Sequence, residues 1–328
     1  MNDQYDSIAL ESLNFLERLK RIHPHYLAAD CVQLQQELQQ LRAFGYTIHS
    51  SEEFGLVLSE LPDMVYSWDV AANLGTQYFG CEVRSFPFLD STNRYAAQWA
   101  AEGARHGAVV VTDQQLKGRG RFERQWVSPA GKGLYFTIIF RPALKMREVP
   151  LLTLLVSVAV VEAIENICDI KALIKWPNDV LYEGHKLCGI LAEARSDKTG
   201  KPNYAVVGIG VNANLEPEDF PSDAKGTSLK MIRQEKISRT HLLRCILKSV
   251  EKHYANFATY GFSYLKEQWY QKNGTIGREV TVNTNDGATV SGVALGLSDQ
   301  GGLLVQLSDG TEVEFLAGDV SIGSTNFQ

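Results

Sequence analysis

Two segments about fifty residues apart carry the residue types that could do chemistry. The first is Gly118-Arg119-Gly120-Arg121-Phe122-Glu123-Arg124-Gln125-Trp126. Its glycines let backbone approach a ligand closely. Arg119, Arg121 and Arg124 offer planar forks for phosphate or carboxylate, and Trp126 adds a flat apolar surface. The second is Lys175-Trp176-Pro177-Asn178-Asp179, followed by Lys186 and Gly189-Ile190-Leu191. Pro177 restricts Trp176 to extended geometry, which places Asn178 and Asp179 at a strand end, where sites in α/β sheets tend to lie. Asp179 could hold magnesium, directly or through water. Alone, the first segment is equally a solvated basic loop and the second a rigid, Asx-capped turn. Together they read as a site that activates a carboxylic acid with a nucleotide. Neither GxxxxGK[ST] nor a GxGxxG opening a helix is present, so a P-loop and a dinucleotide fold are not supported.

The elements that must position these residues fall into three zones. In residues 1–80, Leu10, Leu13, Phe15, Leu16 and Leu19 mark an amphipathic helix. A second helix starts at Asp30, runs through Val32, Leu34, Leu38 and Leu41, and stops at Gly45. Tyr46–His49 and Leu56–Leu58 then read as a hairpin, so the zone has a winged-helix-like outline. Residues 81–272 mix strands and helices. An Asp90-Ser91-Thr92-Asn93 cap leads an Ala-rich helix to Ala101, and strands are expected at 108–112, 134–140, 170–175, 186–194 and 204–211. Helices are expected at 150–168, 240–258 and 263–272, giving an α/β domain with a mixed sheet. Residues 273–328 hold short strands separated by Asn285-Asp286-Gly287, Gly301-Gly302 and Asp309-Gly310, the pattern of a small β-barrel.

Composition narrows the class further. The chain has 328 residues, 45% hydrophobic and 21% charged, as in an ordinary globular protein of two or three domains. The apolar run Leu151–Val161 is broken by Thr153 and Ser157 and reads as too short for a membrane span. The N-terminus shows no secretory signal. Cys31, Cys81, Cys168, Cys188 and Cys245 form no CxxC or metal-like spacing and read as thiols of a reducing cytosol. A cytoplasmic protein without membrane contact is expected. Net charge is −6, with eleven acidic and four basic residues in 1–80 against 27 and 28 beyond.

The ordered set Asp90-Ser91-Thr92-Asn93, Gln115, GRGRxxRxW, KWPND, K-x-x-G-I-L and Gly208–Asn214 resembles the biotin protein ligase family over roughly residues 80–323. The resemblance implies a catalytic domain of class II aminoacyl-tRNA-synthetase-like α/β (α+β) fold and a C-terminal SH3-like barrel. It also implies biotin, ATP and Mg²⁺ as substrates and metal, with no tightly bound organic cofactor. Ser91, Thr92 and Asn93 match the motif at biotin's ureido end. Gln115, Gly118, Arg119, Gly120 and Arg121 match the loop over biotin and its acyl phosphate. Lys186 matches the lysine at the biotin carboxylate, with Gly189 and Ile190 in the same pocket. Arg124, Trp126, Asn178, Asp179 and Asn212 match the nucleotide side, Asp179 also the metal, and Arg121 and Lys186 are the catalytic candidates. The family usually has Arg-Gly where this chain has Phe122-Glu123, and often Gln-Thr-Ala-Gly where it has Gln115-Leu116-Lys117-Gly118.

The implied reaction forms biotinyl-5′-AMP and then biotinylates a lysine of a biotin carboxyl carrier protein. A lipoate or octanoate ligase of the same superfamily is the alternative within the chemistry. A biotin-responsive DNA-binding repressor is the alternative outside it, because the N-terminal zone loosely resembles the winged helix of ligases that double as repressors. Asp30–Arg42 would be the recognition helix, yet it has one basic residue and two acids. With Glu52 and Glu53 at the wing tip, phosphate anchors are scarce, which favours a winged helix kept for structure or partner contact. Strands of the catalytic sheet could also pair edge to edge in a homodimer.

Overall fold

The computed structural model describes residues 38–39, 41–51, 55–60, 62–196, 202–284 and 287–323. The first expected helix and most of the second lie outside these residues. The end of the second is described, and glycine stops it as expected. Gly45 takes φ +91°, its N–H donates to Arg42 O (2.9 Å), and the Tyr46 N–H donates to Leu41 O (3.1 Å). That pair of bonds is a Schellman ending. The hairpin follows as β1 (Thr47–Ser51) and β2 (Gly55–Glu60), paired antiparallel.

A short helix, α1 (Ser67–Ala71), joins this hairpin to the rest of the molecule. The Arg244 guanidinium donates to the Asp69, Val70 and Ala72 carbonyls at its end. On its other side the Tyr46 hydroxyl donates to Asp69 Oδ2 at 2.7 Å. Burial, and after it the Tyr46 and Arg244 contacts that oppose it, leave the Asp69 carboxyl raised to about 6.

The central sheet has seven strands. They are β3 (Val83–Leu89), β4 (Val109–Gln115), β5 (Leu134–Phe140), β6 (Leu173–Lys175), β7 (Asp179–Tyr182), β8 (His185–Ser196) and β9 (Pro202–Val211). Their order is β3-β4-β5-β9-β8-β7-β6, with β3 and β4 parallel and every other pair antiparallel. Strand alternation covers both faces. Val109, Val111, Phe136 and Ile138 point into one apolar cluster, while Val110 and Ile139 point into another with Trp99, Tyr204 and Val206. Helix α2 (Thr92–Ala101) covers the second face. Helices α3 (Pro150–Cys168), α5 (Arg239–Tyr260) and α6 (Phe262–Gln271) build the first, with a short α4 (Leu229–Arg233) between. By length and composition α3 is apolar enough to cross a bilayer, but it is buried as a core helix.

The last unit is a five-stranded antiparallel sheet. Its strands are β10 (Glu279–Asn283), β11 (Thr289–Leu297), β12 (Leu303–Gln306), β13 (Glu312–Phe315) and β14 (Asp319–Ile322), in the order β13-β12-β11-β10-β14. Its inward residues Val280, Val282, Leu303 and Val305 join the core of the central sheet. Trp176, 1% exposed, pins the two together by donating its indole N–H to Gly301 O at 3.0 Å. That docking also sets the position of Gly318-Asp319, where the chain enters β14.

Candidate functional site

One cavity of about 350 Å³ collects both chemistry-bearing segments. Ser91, Thr92 and Asn93 reach it from the start of α2, and Gln115 from the end of β4. Arg119, Gly120, Arg121, Arg124 and Trp126 come from the loop after β4, and Asn178, Asp179, Lys186, Gly189, Ile190 and Asn212 from β7–β9 and their ends. Gly118 alone of the expected residues does not line it. A Cβ there would lie 2.3 Å from Trp126 O, so this glycine closes the loop's base rather than facing a ligand. The base is held by the Trp126 N–H to Gly118 O (2.9 Å) and the Gly120 N–H to Arg124 O (2.7 Å).

The floor is made where side chains are missing. A Cβ on Gly210 would come within 2.5 Å of Trp126 Nε1, and one on Gly189 within 2.9 Å of Trp126 Cζ3. The indole therefore lies flat on β8 and β9, and the Lys186 ammonium sits 5.3 Å from its ring centroid. A Cβ on Gly208 would meet Asn93 Oδ1 at 2.2 Å, so that glycine admits the Asn93 amide against the sheet.

Charges are concentrated and tied. Lys186 Nζ lies 2.6 Å from Asp179 Oδ1, and Lys175 Nζ 3.1 Å from Asp179 Oδ2. Burial works to raise the Asp179 carboxyl, but the two ammonium groups prevail and hold it below the ordinary carboxylate range. Arg121 donates to Gly318 O (2.8 Å) and Asn178 Oδ1 (3.2 Å), and Arg124 pairs with Asp319 at 2.6 Å. Phe122 occupies left-handed backbone (φ 55°, ψ 39°) between them, its ring centroid 5.1 Å from the Arg121 and 5.9 Å from the Arg124 guanidinium carbon. Asn212 lines the cavity, yet its amide donates to the Lys186 and Thr227 carbonyls, both at 3.0 Å.

The expected metal role of Asp179 is not supported by this geometry. Each carboxylate oxygen already faces an ammonium group, so a divalent cation on either oxygen would compete with the lysine there. Among the described residues no cluster of three His, Cys, Asp or Glu side chains could hold a metal.

Reading the sequence missed Asp319, Phe220, Gly226 and Leu215, which also line the cavity. None carries a local signal. Asp319 arrives only because the C-terminal sheet docks beside the arginine loop, and the Phe220 loop is brought in partly by the Lys132–Asp219 ion pair at 2.6 Å.

The biotin/lipoate A/B protein ligase family model matches residues 85–212, and the biotin protein ligase C terminal domain model matches residues 275–323. The bifunctional ligase/repressor BirA of Bacillus subtilis is 35% identical over 290 residues, covering 88% of each chain. The chain belongs to the biotin protein ligase family. A biotin–[acetyl-CoA-carboxylase] ligase of Paracoccus denitrificans is 31% identical over 68% of this chain and 94% of its own. Among solved structures, the biotin protein ligase of Aquifex aeolicus in complex with biotin and ATP aligns with a TM-score of 0.63. It is 30% identical and covers 74% of this chain and 98% of its own. The mixed α/β fold with its C-terminal β domain, and the biotin ligase enzyme class, follow from these matches.

Proposed function

We propose that this cavity binds biotin and ATP side by side and makes biotinyl-5′-AMP. The biotin carboxylate oxygen attacks the α-phosphorus, the bond to the β-phosphate bridging oxygen breaks, and pyrophosphate leaves. The ε-amine of a carrier-protein lysine then attacks the acyl carbon and loses a proton, and AMP departs. The observation that carries this reading is the cation set that converges on one cavity. Lys186 from β8 and Arg121 and Arg124 from the loop converge there. Two anions must meet in the first step, and fixed cations in a half-dry site stabilise the charge that develops.

Lys186 is assigned to the biotin carboxylate and Arg121 to the acyl phosphate. Arg119, Gly120, Gly189 and Ile190 line the biotin side. Arg124, Trp126, Asn178 and Asn212 line the nucleotide side, with Asp179 as the group that orients Lys186. Magnesium accompanying ATP finds no carboxylate cage among the described residues, and no step is assigned to it. The acyl phosphate anhydride is water-labile, so the arginine loop, tied to Gly318 and Asp319, is the element that covers it. The acceptor is a biotin carboxyl carrier protein.

Pyrophosphate exchange into ATP, run with biotin, lipoate and octanoate, tests the reading. Exchange with biotin alone is expected; exchange only with lipoate or octanoate, or with none, would overturn it. The named role of the Bacillus subtilis relative favours a second reading, biotin-responsive DNA binding. The acidic balance of residues 1–80 weighs against it, and a gel shift with the promoter of the source organism's own biotin genes decides.

A further inference from the structure

Thr137 sits on β5 beneath the cavity, is fully buried, and does not line it. Three oxygen–oxygen contacts run through it and its neighbour. The Thr137 hydroxyl oxygen lies 2.7 Å from Asn93 Oδ1 and 2.8 Å from the Thr92 hydroxyl oxygen, which lies 3.2 Å from Gln115 Oε1. Only two protons are available for these three contacts, one on each threonine.

The flanking groups fix where the protons go. Asn93 Nδ2 donates to Leu191 O (3.2 Å) and Glu193 Oε2 (2.8 Å), which makes the other end of that amide an acceptor. Gln115 Nε2 donates to Ser128 Oγ (3.1 Å) while Gln115 Oε1 accepts from the Thr92 backbone N–H (3.0 Å), so that oxygen is an acceptor too. Thr137 therefore gives its proton to Asn93, and the Thr92 proton goes to the shorter of its two contacts, Thr137 at 2.8 Å rather than Gln115 at 3.2 Å. The longest contact, Thr92 to Gln115, is left with no proton. Two acceptor oxygens then face each other at the cavity wall, an arrangement that an N–H donor between them would resolve.

We propose that Thr137 is a positioning and specificity-determining residue. By drawing the Thr92 proton downward, it keeps the Thr92 and Gln115 oxygens as a matched acceptor pair for a ureido N–H. The inference rests on the biotin reading above. A dithiolane or a plain alkyl chain has no N–H to offer, so the same pair also disfavours lipoate and octanoate, which would bring neither oxygen a donor and leave Gln115 only the Thr92 N–H.

The test compares T137V, which keeps the shape and deletes the proton, with T137S, which keeps it. Wild-type pyrophosphate exchange with biotin is the control, and its failure would refute the functional reading rather than this one. In T137V the Thr92 hydroxyl turns to Gln115 and the acceptor pair is lost. The KM for biotin should rise at least tenfold, with the KM for ATP within twofold and kcat within about threefold. T137S should restore the wild-type biotin KM within twofold. T137A, read the same way, replaces T137V if the valine variant does not fold. An unchanged biotin KM in T137V, or an ATP KM that rises as much as that for biotin, would overturn the proposal. So would folding of T137S alone, because Thr137 would then serve stability only.

Discussion

Replacing Asp179 with asparagine separates what this residue does for the fold from what it does for the reaction. The carboxylate holds two lysines, at 2.6 and 3.1 Å, whose side chains are 36% and 19% exposed. Breaking a fully buried pair costs about 3–5 kcal/mol and an exposed one at most about 1. The intermediate burial here, with water in reach of both lysines, predicts a loss of about 2–3 kcal/mol, or ~5–10 °C in Tm for a unit of this size. Because the folded-state pKa of Asp179 is depressed, its contribution is fully present above the unfolded carboxylate value and fades as pH falls through the folded one. The gap between wild type and D179N should therefore hold steady from pH 7 to about 4 and close below that.

In catalysis two effects oppose. Removing a negative charge next to Lys186 favours an incoming carboxylate, so the biotin KM should not rise. Freeing the lysine lets it sample rotamers worth up to about 2 kcal/mol of entropy, so kcat should fall about tenfold. Pyrophosphate exchange against biotin concentration reads both parameters, and thermal melts at pH 7, at pH 4 and below pH 4 read the stability. A raised biotin KM with unchanged kcat would refute the orienting role, and a Tm within a degree of wild type would refute the energetics.

D319N should raise the KM for ATP less than about fivefold, since the Arg124 side chain is 66% exposed and such pairs are worth under about 1 kcal/mol; a larger change in biotin KM than in ATP KM would count against the assignment. F122G should leave the Tm unchanged or higher, because glycine relieves the left-handed backbone. It should also raise the ATP KM by about three- to tenfold as both guanidinium contacts vanish; an unchanged ATP KM in steady-state kinetics would remove the ring from the site. E162Q should cost about 2–3 kcal/mol by denaturant titration, since fully buried His253 bonds Glu162. The His253 bond, ahead of burial, which opposes it, and of Lys252, holds that carboxyl down to about 2. The difference from wild type should thus persist down to pH ~4.5 and fade towards 2; a difference that grew on acidification would contradict it.

What was legible in the sequence was what local rules govern. The expected helix 150–168 is α3, and 134–140 is β5, because a mostly apolar run that is almost wholly buried leaves little ambiguity in the middle of a domain. The Glu183-Gly184 turn joins β7 to β8 through two successive left-handed residues, φ 47° and 78°, the conformation a two-residue hairpin demands. Strand β3 was missed. Pro87 interrupts it and two of its residues are exposed, features tolerable because β3 is an edge strand bonded only to β4. Strand β7 was read as the turn after Lys175, since four residues starting with Asp-Val carry little strand signal of their own. The motif residues meet in one cavity because each sits on or beside a strand end. Asp319 and Thr137 could not be foreseen, one because it depends on how two sheets dock, the other because a buried threonine in an apolar strand looks like packing until its proton has to be placed.

The arrangement of charge explains why those two matter. The cavity gathers Arg119, Arg121, Arg124 and Lys186 against Asp179 and Asp319, so it is cationic before any substrate arrives. Uncompensated, such a cluster would splay. Asp179 and Asp319 hold one member each, Lys186 and Arg124, at 2.6 Å, and Arg121 is held by the Gly318 and Asn178 oxygens. Lys186, Arg121 and Arg124 are thus fixed in direction without the set being neutralised, which suits a reaction that must bring a carboxylate to a phosphate. At the opposite wall the recognition is neutral, a pair of acceptor oxygens whose polarity is set one layer below. Anchoring the anionic end by charge and the ureido end by proton direction lets one small cavity choose its acid without weakening the field that activates it.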